Sequence, residues 1–205
     1  MLSELTPTEG SITLGDRPLP QEPGPERGVV YQRYSVFPQL TALENVCFGL
    51  ERTQGDPLLG RTWGAKRRAL RAEASALLEA VGLAAAVKRY PGALSGGMQQ
   101  RLALAQTLAL KPELLLLDEP FGALDPGNKQ AAHALLQKLW AERGMTVVMV
   151  THDLSEAFTL GTRVLVLDKV REDPHSPERF GASITYDLPV DRSAPPGAVS
   201  IPSIA

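Results

Sequence analysis

The chain has 205 residues, 43% apolar and 21% charged, enough for one domain with a sizeable core or two small ones, which excludes disorder as its main state. Lys and Arg number 21 against 23 Asp and Glu, a net charge of −2, so no basic field exists to bind nucleic acid or anionic lipid through charge alone. Its apolar runs are a few residues long, against about 18 to 20 for a membrane span, and Met1-Leu2-Ser3-Glu4-Leu5 carries no mark of a secretory signal; a cytoplasmic location is expected.

In chain order, Ser11-Ile12-Thr13-Leu14 alternates polar with apolar ahead of Gly15-Asp16 and predicts a half-exposed strand entering a turn. Pro18, Pro20, Pro23 and Pro25 then predict a stiff connector. Gly28-Val29-Val30-Tyr31 predicts a short buried strand ending at Gln32, and Phe37-Pro38-Gln39-Leu40-Thr41 leads into a short helix over about 42–48. The one cysteine, Cys47, lies in the apolar run Val46-Cys47-Phe48 and is expected as a small buried hydrophobe in a reducing compartment.

Between 66 and 110 the periodicity is helical: Leu70, Ala74, Leu77, Leu78 and Val81 recur at helical spacing before Gly82, a C-cap. Another helix is expected near Ser95, after Pro91-Gly92. From 114 onward strands alternate with helices: a strand over 114–117, a helix from about 128 to 143, a strand over 146–150, a short helix over 154–160 and a strand over 163–167. Continuous apolar strands between helices predict an α/β fold with a parallel sheet covered on both faces. The tail from Arg171 carries Pro174, Pro177, Pro189, Pro195, Pro196 and Pro202; an edge strand is expected over 184–188 and a loose end over the last dozen residues.

The chemistry sits where strands end. Leu114-Leu115-Leu116-Leu117-Asp118-Glu119-Pro120 delivers two adjacent carboxylates to the C-terminal edge of a parallel strand, where open α/β sheets bind ligands. In phosphoryl transfer Asp118 would hold Mg²⁺, directly or through water, and Glu119 would orient and deprotonate the attacking water. For the pair alone, a solvated acidic turn is the plainer reading. Leu94-Ser95-Gly96-Gly97-Met98-Gln99-Gln100-Arg101 is less ordinary: Ser95 can cap a helix, and two glycines let bare N–H groups approach an anion at the positive end of the helix dipole.

Together, that string and Asp118-Glu119-Pro120-Phe121-Gly122-Ala123-Leu124-Asp125 resemble the signature motif, Walker B and D-loop of ABC transporter ATPases, most of all importer ATPases of the nitrate, sulfonate and taurine type. Gln32, after Val29-Val30-Tyr31, is similar to the Q-loop glutamine, and His152 in Val150-Thr151-His152-Asp153 to the switch histidine. The resemblance, running from about 7 to 168, implies a P-loop NTPase-like parallel sheet flanked by helices, with a helical subdomain over about 42–110 and a short antiparallel β segment. The nucleotide-binding domain would span 1–170, with an edge strand and tail over 171–205. It also implies roles: Glu119 and His152 in catalysis, Gln32, Ser95, Gly96, Gly97, Gln99 and Asp125 on the nucleotide, and Asp118 and Gln32 on Mg²⁺. ATP and Mg²⁺ are the implied ligands, and the implied partners are permease subunits, a second ATPase subunit in a homodimer and, indirectly, a solute-binding protein, with no nucleic acid. His133 and His175 match no motif and keep a structural reading.

One departure bears on function. A P-loop, Gly-x-x-x-x-Gly-Lys-Ser/Thr, cradles β- and γ-phosphates with its amides and Lys, and none stands in these 205 residues. The nearest string, Gly122 to Gly127, is followed by Asn128 and Lys129 and overlaps the D-loop. The resemblance implies that residues 1–5 are the last turn of the helix after the P-loop, so that the chain begins inside a βαβ unit. Two functions follow: the ATP-hydrolysing subunit of an importer, inactive alone as these residues stand, or a non-catalytic module that contacts a permease or partner ATPase without binding ATP itself. A DNA-repair ABC ATPase is disfavoured, because no coiled-coil insertion or Cys-rich module interrupts 32–118.

Overall fold

The computed structural model describes residues 9–20, 22, 24, 26–31, 36–54, 64–122, 124–169, 175 and 181–191. Gln32, Pro23, Pro25, Ala123, the helical turn expected over 1–5, Pro174, Pro177 and the tail prolines after Asp191 lie outside the described residues. The chain divides into two units, Met1–Val150 and Thr151–Ala205. No described helix is long and apolar enough to cross a membrane.

The first unit opens with an antiparallel hairpin of β1 (Thr13–Leu14) and β2 (Arg17–Pro18), turned at Gly15 with φ +57°. The predicted strand and turn are present. Pro18 belongs to the return strand rather than the connector, at a hairpin edge where a missing N–H is tolerated.

β3 (Arg27–Val30), β4 (Leu114–Asp118) and β5 (Thr146–Val150) form a parallel sheet in the order β3-β4-β5. Gly28 pairs with Leu115, and Asp118 with Val150. Leu114, Leu115 and Leu117 are buried in the middle strand, which is why β4 is a continuous apolar string. β5 departs from the expected cover on both faces: Val147 and Met149 are half-buried, whereas Val148 and Val150 are exposed. Its β-branched run reports strand propensity; what covers each face depends on elements elsewhere in the chain.

Gly28 is the close-approach point between sheet and helix. A Cβ there would lie 2.4 Å from Thr107 Cγ2 and 3.1 Å from Pro112 Cγ. Gly28→Ala is therefore expected to destabilise the protein by about 1–3 kcal/mol through overpacking, a loss of several degrees in a thermal melt; an unchanged melting temperature would contradict this packing.

Thr41 and Glu44 start α1 (Ala42–Gln54) with a capping box: Glu44 Oε2 accepts from the Thr41 N–H at 2.9 Å, and Thr41 Oγ1 from the Glu44 N–H at 3.3 Å. The Thr41 backbone and hydroxyl bonds hold the Glu44 carboxyl below its usual range. The helix buries Ala42, Asn45, Val46, Gly49 and Leu50, one stripe at helical spacing. It continues past its predicted end near Phe48 to Gln54, and at Gly49 it packs close to its neighbour, where a Cβ would lie 3.0 Å from Gln106 O and 3.2 Å from Ala109 Cβ. Asn45 ties the preceding loop to this helix: Oδ1 accepts from the Phe37 N–H at 2.8 Å, and Nδ2 donates to Phe37 O and Leu40 O at 3.1 and 3.0 Å. Cys47 is half-buried, and burial pushes its thiol up, away from reactivity.

α2 (Gly64–Ala80) buries Leu70, Ala74, Leu77 and Leu78 and ends as predicted at Gly82, whose φ is +71°. Two short 3₁₀ turns, Ala84–Ala86 and Pro91–Ala93, lead to α3 (Gly96–Leu108), which is buried on most of its circumference and packs against α1, α2 and β3. α4 (Pro126–Arg143) starts two residues ahead of the predicted 128, since Asp125 caps it and Pro126 suits the first helical position. Gly144, at φ +63°, ends it.

The second unit holds α5 (Leu154–Leu160), β6 (Arg163–Asp168) and β7 (Ser183–Pro189). The edge strand expected over 184–188 is β7. The parallel setting expected for 163–167 is corrected: β6 pairs antiparallel with β7, Val164 opposite Leu188, and Arg163 grips Asp187 through two bonds of 2.7 and 2.6 Å. An apolar strand segment specifies that it will pair, while the direction of its partner is set by the connection and the tertiary context.

Candidate functional site

β4 carries Asp118 and Glu119 to the end of the parallel sheet. The Glu119 N–H donates to Val150 O at 2.9 Å, which extends the β4–β5 pairing one residue beyond the strand. Glu119 then turns with φ +43°, a left-handed conformation that non-glycine residues rarely adopt. Such a backbone costs about 1–3 kcal/mol and persists where the surroundings enforce it, as they do at working sites. The Gly122 N–H closes the turn onto Glu119 O at 3.3 Å. Asp118 is exposed, and its carboxylate makes no hydrogen bond or ion pair among the described residues.

The string 94–101 forms the start of α3. Ser95 is its N-cap, Oγ accepting from the Met98 N–H at 3.3 Å. Gly96 and Gly97 open the helix, where the first N–H groups have no intrahelical acceptor. Gln99 Nε2 donates to Pro91 O at 3.0 Å and Leu94 O at 3.3 Å, so this amide braces the segment before the helix. Arg101 Nε reaches back to Gly97 O at 3.3 Å.

The loop after β4 meets this helix start. A Cβ on Gly97 would stand 3.0 Å from Leu124 Cδ2, so the two segments lie in close contact there. Asp125 caps α4, Oδ1 accepting from the Asn128 N–H at 3.2 Å and Oδ2 from Asn128 Nδ2 at 2.6 Å; these Asn128 bonds hold its carboxyl below the usual range. The structure thus brings Gly97 together with the loop of Asp125, one turn beyond Asp118 and Glu119. Phe121, on that turn, packs edge-on against the His133 ring at 4.8 Å, in keeping with a structural His133.

His152 belongs to the second unit, exposed on the turn before α5. Asp153 caps α5, its Oδ1 accepting from the Glu156 N–H at 3.2 Å. Glu156 is a residue the motif reading passed over, although the spacing Asp153-x-x-Glu156 is that of a capping box. It is 3% exposed and its Oε2 accepts from Thr151 Oγ1 at 2.5 Å.

The donor set suits Mg²⁺ held beside a phosphate. That ion takes one or two protein carboxylates and fills its remaining positions with water and phosphate oxygens, and Asp118 is an uncommitted carboxylate at the sheet edge. Among the described residues no three His, Cys, Asp or Glu side chains gather into an all-protein metal cage.

Residues 1–122 match the family model described as ABC transporter. The chain belongs to the ABC transporter family. It is 38% identical over 187 residues to the bicarbonate transport ATP-binding protein CmpD of Synechocystis sp., covering 91% of this chain and 62% of that protein. It is 39% identical over 190 residues to the nitrate import ATP-binding protein NrtD of the same organism, covering 93% and 65%. It is 44% identical over 161 residues to the taurine import ATP-binding protein TauB of Chromobacterium violaceum, covering 78% and 58%. The chain therefore spans less than two thirds of the length of these ABC relatives. Among solved structures it resembles the ATP-binding cassette MJ0796, a dimer in a post-hydrolysis state bound to ADP and Pi, with TM-score 0.64 and 34% identity over 80% of this chain and 70% of that one. The resemblance drawn from the motifs, and the α/β fold with its short antiparallel sheet, are borne out.

Proposed function

We propose that this chain is the ATP-binding and ATP-hydrolysing part of an importer, coupling hydrolysis to uptake of a small solute at the cytoplasmic face of a membrane. The observation that carries this is the strained Glu119 at the end of β4, beside uncommitted Asp118, on a turn whose next residues pack on Gly97. In this reading Glu119 accepts the proton of the attacking water as that water bonds to the γ-phosphorus and the bond from the γ-phosphorus to the β–γ bridging oxygen breaks, so that ADP leaves with that oxygen and phosphate is released. Asp118 and Gln32 hold Mg²⁺, which supplies charge neutralisation on the phosphate oxygens. His152 donates to a γ-phosphate oxygen.

Ser95, Gly96 and Gly97 present the N-terminus of α3 to ATP held by a second subunit of a homodimer, and Asp125 lies at that same dimer face. Gln99 keeps the segment before α3 in place for that contact. Helices α1 to α3, roughly 42–110, act as the helical subdomain that meets the permease, and a solute-binding protein acts on the permease from the other side. The relatives named for bicarbonate, nitrate and taurine support small solutes as the cargo class.

A second reading, a module that contacts permease or partner ATPase without binding ATP itself, is favoured by one feature: the 205 residues hold no P-loop string. Both readings agree on these residues taken alone. Titration calorimetry with Mg²⁺ is expected to give a dissociation constant for ATP weaker than about 1 mM, since the amide cradle for the β-phosphate is lacking; micromolar binding refutes this. Joining an in-frame P-loop segment upstream separates the readings, because only the first predicts that ATP turnover then appears.

A further inference from the structure

Thr151, His152 and Asp153 form the turn that enters α5, and three hydrogen bonds brace it from both sides of His152. Glu156 Oε2 accepts from Thr151 Oγ1 at 2.5 Å. The same Thr151 oxygen accepts from the Asp153 N–H at 3.1 Å, and Asp153 Oδ1 accepts from the Glu156 N–H at 3.2 Å. The last of these suffices to cap the helix. The Thr151–Glu156 bond adds nothing to the helix itself, since Thr151 lies ahead of the cap; what it fixes is the path of the chain through the turn. Glu156 is buried at 3% exposure, and a carboxyl group in such a place is costly unless hydrogen-bonded. His152 between these anchored neighbours is exposed.

We propose that Glu156 is a positioning residue: through Thr151 Oγ1 its buried carboxyl group holds the 151–153 turn and thereby sets where the His152 imidazole points. These bonds carry the brace; its effect on turnover rests on the reading of His152 as the donor to the γ-phosphate. An exposed imidazole on an unbraced turn spends most of its time out of line with a phosphate, and misplacement of a catalytic group by about 1 Å costs roughly 10²-fold in rate.

Nitrogen-15 relaxation on the 205-residue chain tests the brace without any nucleotide. In the parent, and in the conservative variants Glu156→Gln and Thr151→Ser, which keep an acceptor and a hydroxyl, the His152 amide is expected to show a rigid order parameter of about 0.85. In Glu156→Ala and Thr151→Val it is expected to fall below about 0.6, with the β6–β7 amides unchanged. Should Glu156→Ala fail to fold, Thr151→Val, which leaves the carboxyl group in place, decides. A rigid His152 amide in Thr151→Val, or a mobile one in the parent, overturns the proposal. With a P-loop segment joined upstream, Thr151→Val is expected to lose kcat by about 10²-fold with KM for ATP little changed. An unchanged kcat despite a mobile His152 also overturns the positioning role. If instead His152→Ala turns over at the parent rate, the catalytic reading of His152 fails, and the relaxation result still decides the brace.

Discussion

Glu119→Gln, in the chain joined to a P-loop segment, is expected to lower ATP turnover by about 10² to 10⁴-fold, equivalent to about 3 to 5 kcal/mol of transition-state stabilisation, while ATP binding persists. The substitution keeps the shape of the side chain and its position after β4, and replaces the carboxylate by an amide too weakly basic to take the proton of the water. Because the loss is confined to the chemical step, kcat should fall with KM for ATP nearly constant. Glu119→Gly makes an independent check. It deletes the base and also relieves the φ of +43°, so turnover should be lost while the protein becomes more stable by about 1 kcal/mol. Turnover by Glu119→Gln at the parent rate would remove Glu119 from the mechanism. A Glu119→Gly variant less stable than the parent would show that the turn is not strained.

Leu115→Ala is expected to cost about 2 to 5 kcal/mol, a fall of about 10 °C in the melting temperature. Leu115 is fully buried in the middle strand, beside Gly28 on one neighbour and Val147 on the other. The sheet, α3 and the Glu119 turn all depend on that strand, so a void there has little room to collapse. Leu165, also an aliphatic strand residue, is 44% exposed on β6; Leu165→Ala should stay within about 0.5 kcal/mol of the parent. Thermal unfolding of the two variants side by side is the measurement, and equal shifts would contradict this difference in burial.

Much of this protein is determined by local sequence. The stripe Leu70, Ala74, Leu77, Leu78 makes α2 wherever it is placed, because that spacing puts apolar groups on one face of a helix, and Gly82 ends it by taking a positive φ. Ser95 and Asp125 announce their helices for a similarly local reason: each accepts a hydrogen bond from an N–H three residues on. The string Leu114 to Glu119 specifies a buried strand ending in two carboxylates, and with 94–101 it carries the resemblance to the ABC family.

Only the tertiary structure decided the rest. Gly49 favours a helix end, yet α1 runs through it to Gln54, and there the helix comes so close to α3 that a Cβ would stand 3.0 Å from Gln106 O. The run 163–167 carries no mark of its partner's direction, and β7, reached through a connection of more than a dozen residues, made it antiparallel. The contact of Gly97 with Leu124 joins segments 27 positions apart, and no periodicity spans that interval. The left-handed Glu119 is decided in the same way: its own propensity opposes φ +43°, and the bond from its N–H to Val150, with the turn closed by Gly122, overrides that propensity. Local sequence thus sets the elements through short-range sterics and hydrogen bonding, while the strain and the contacts that make a site come from groups that folding alone brings within reach.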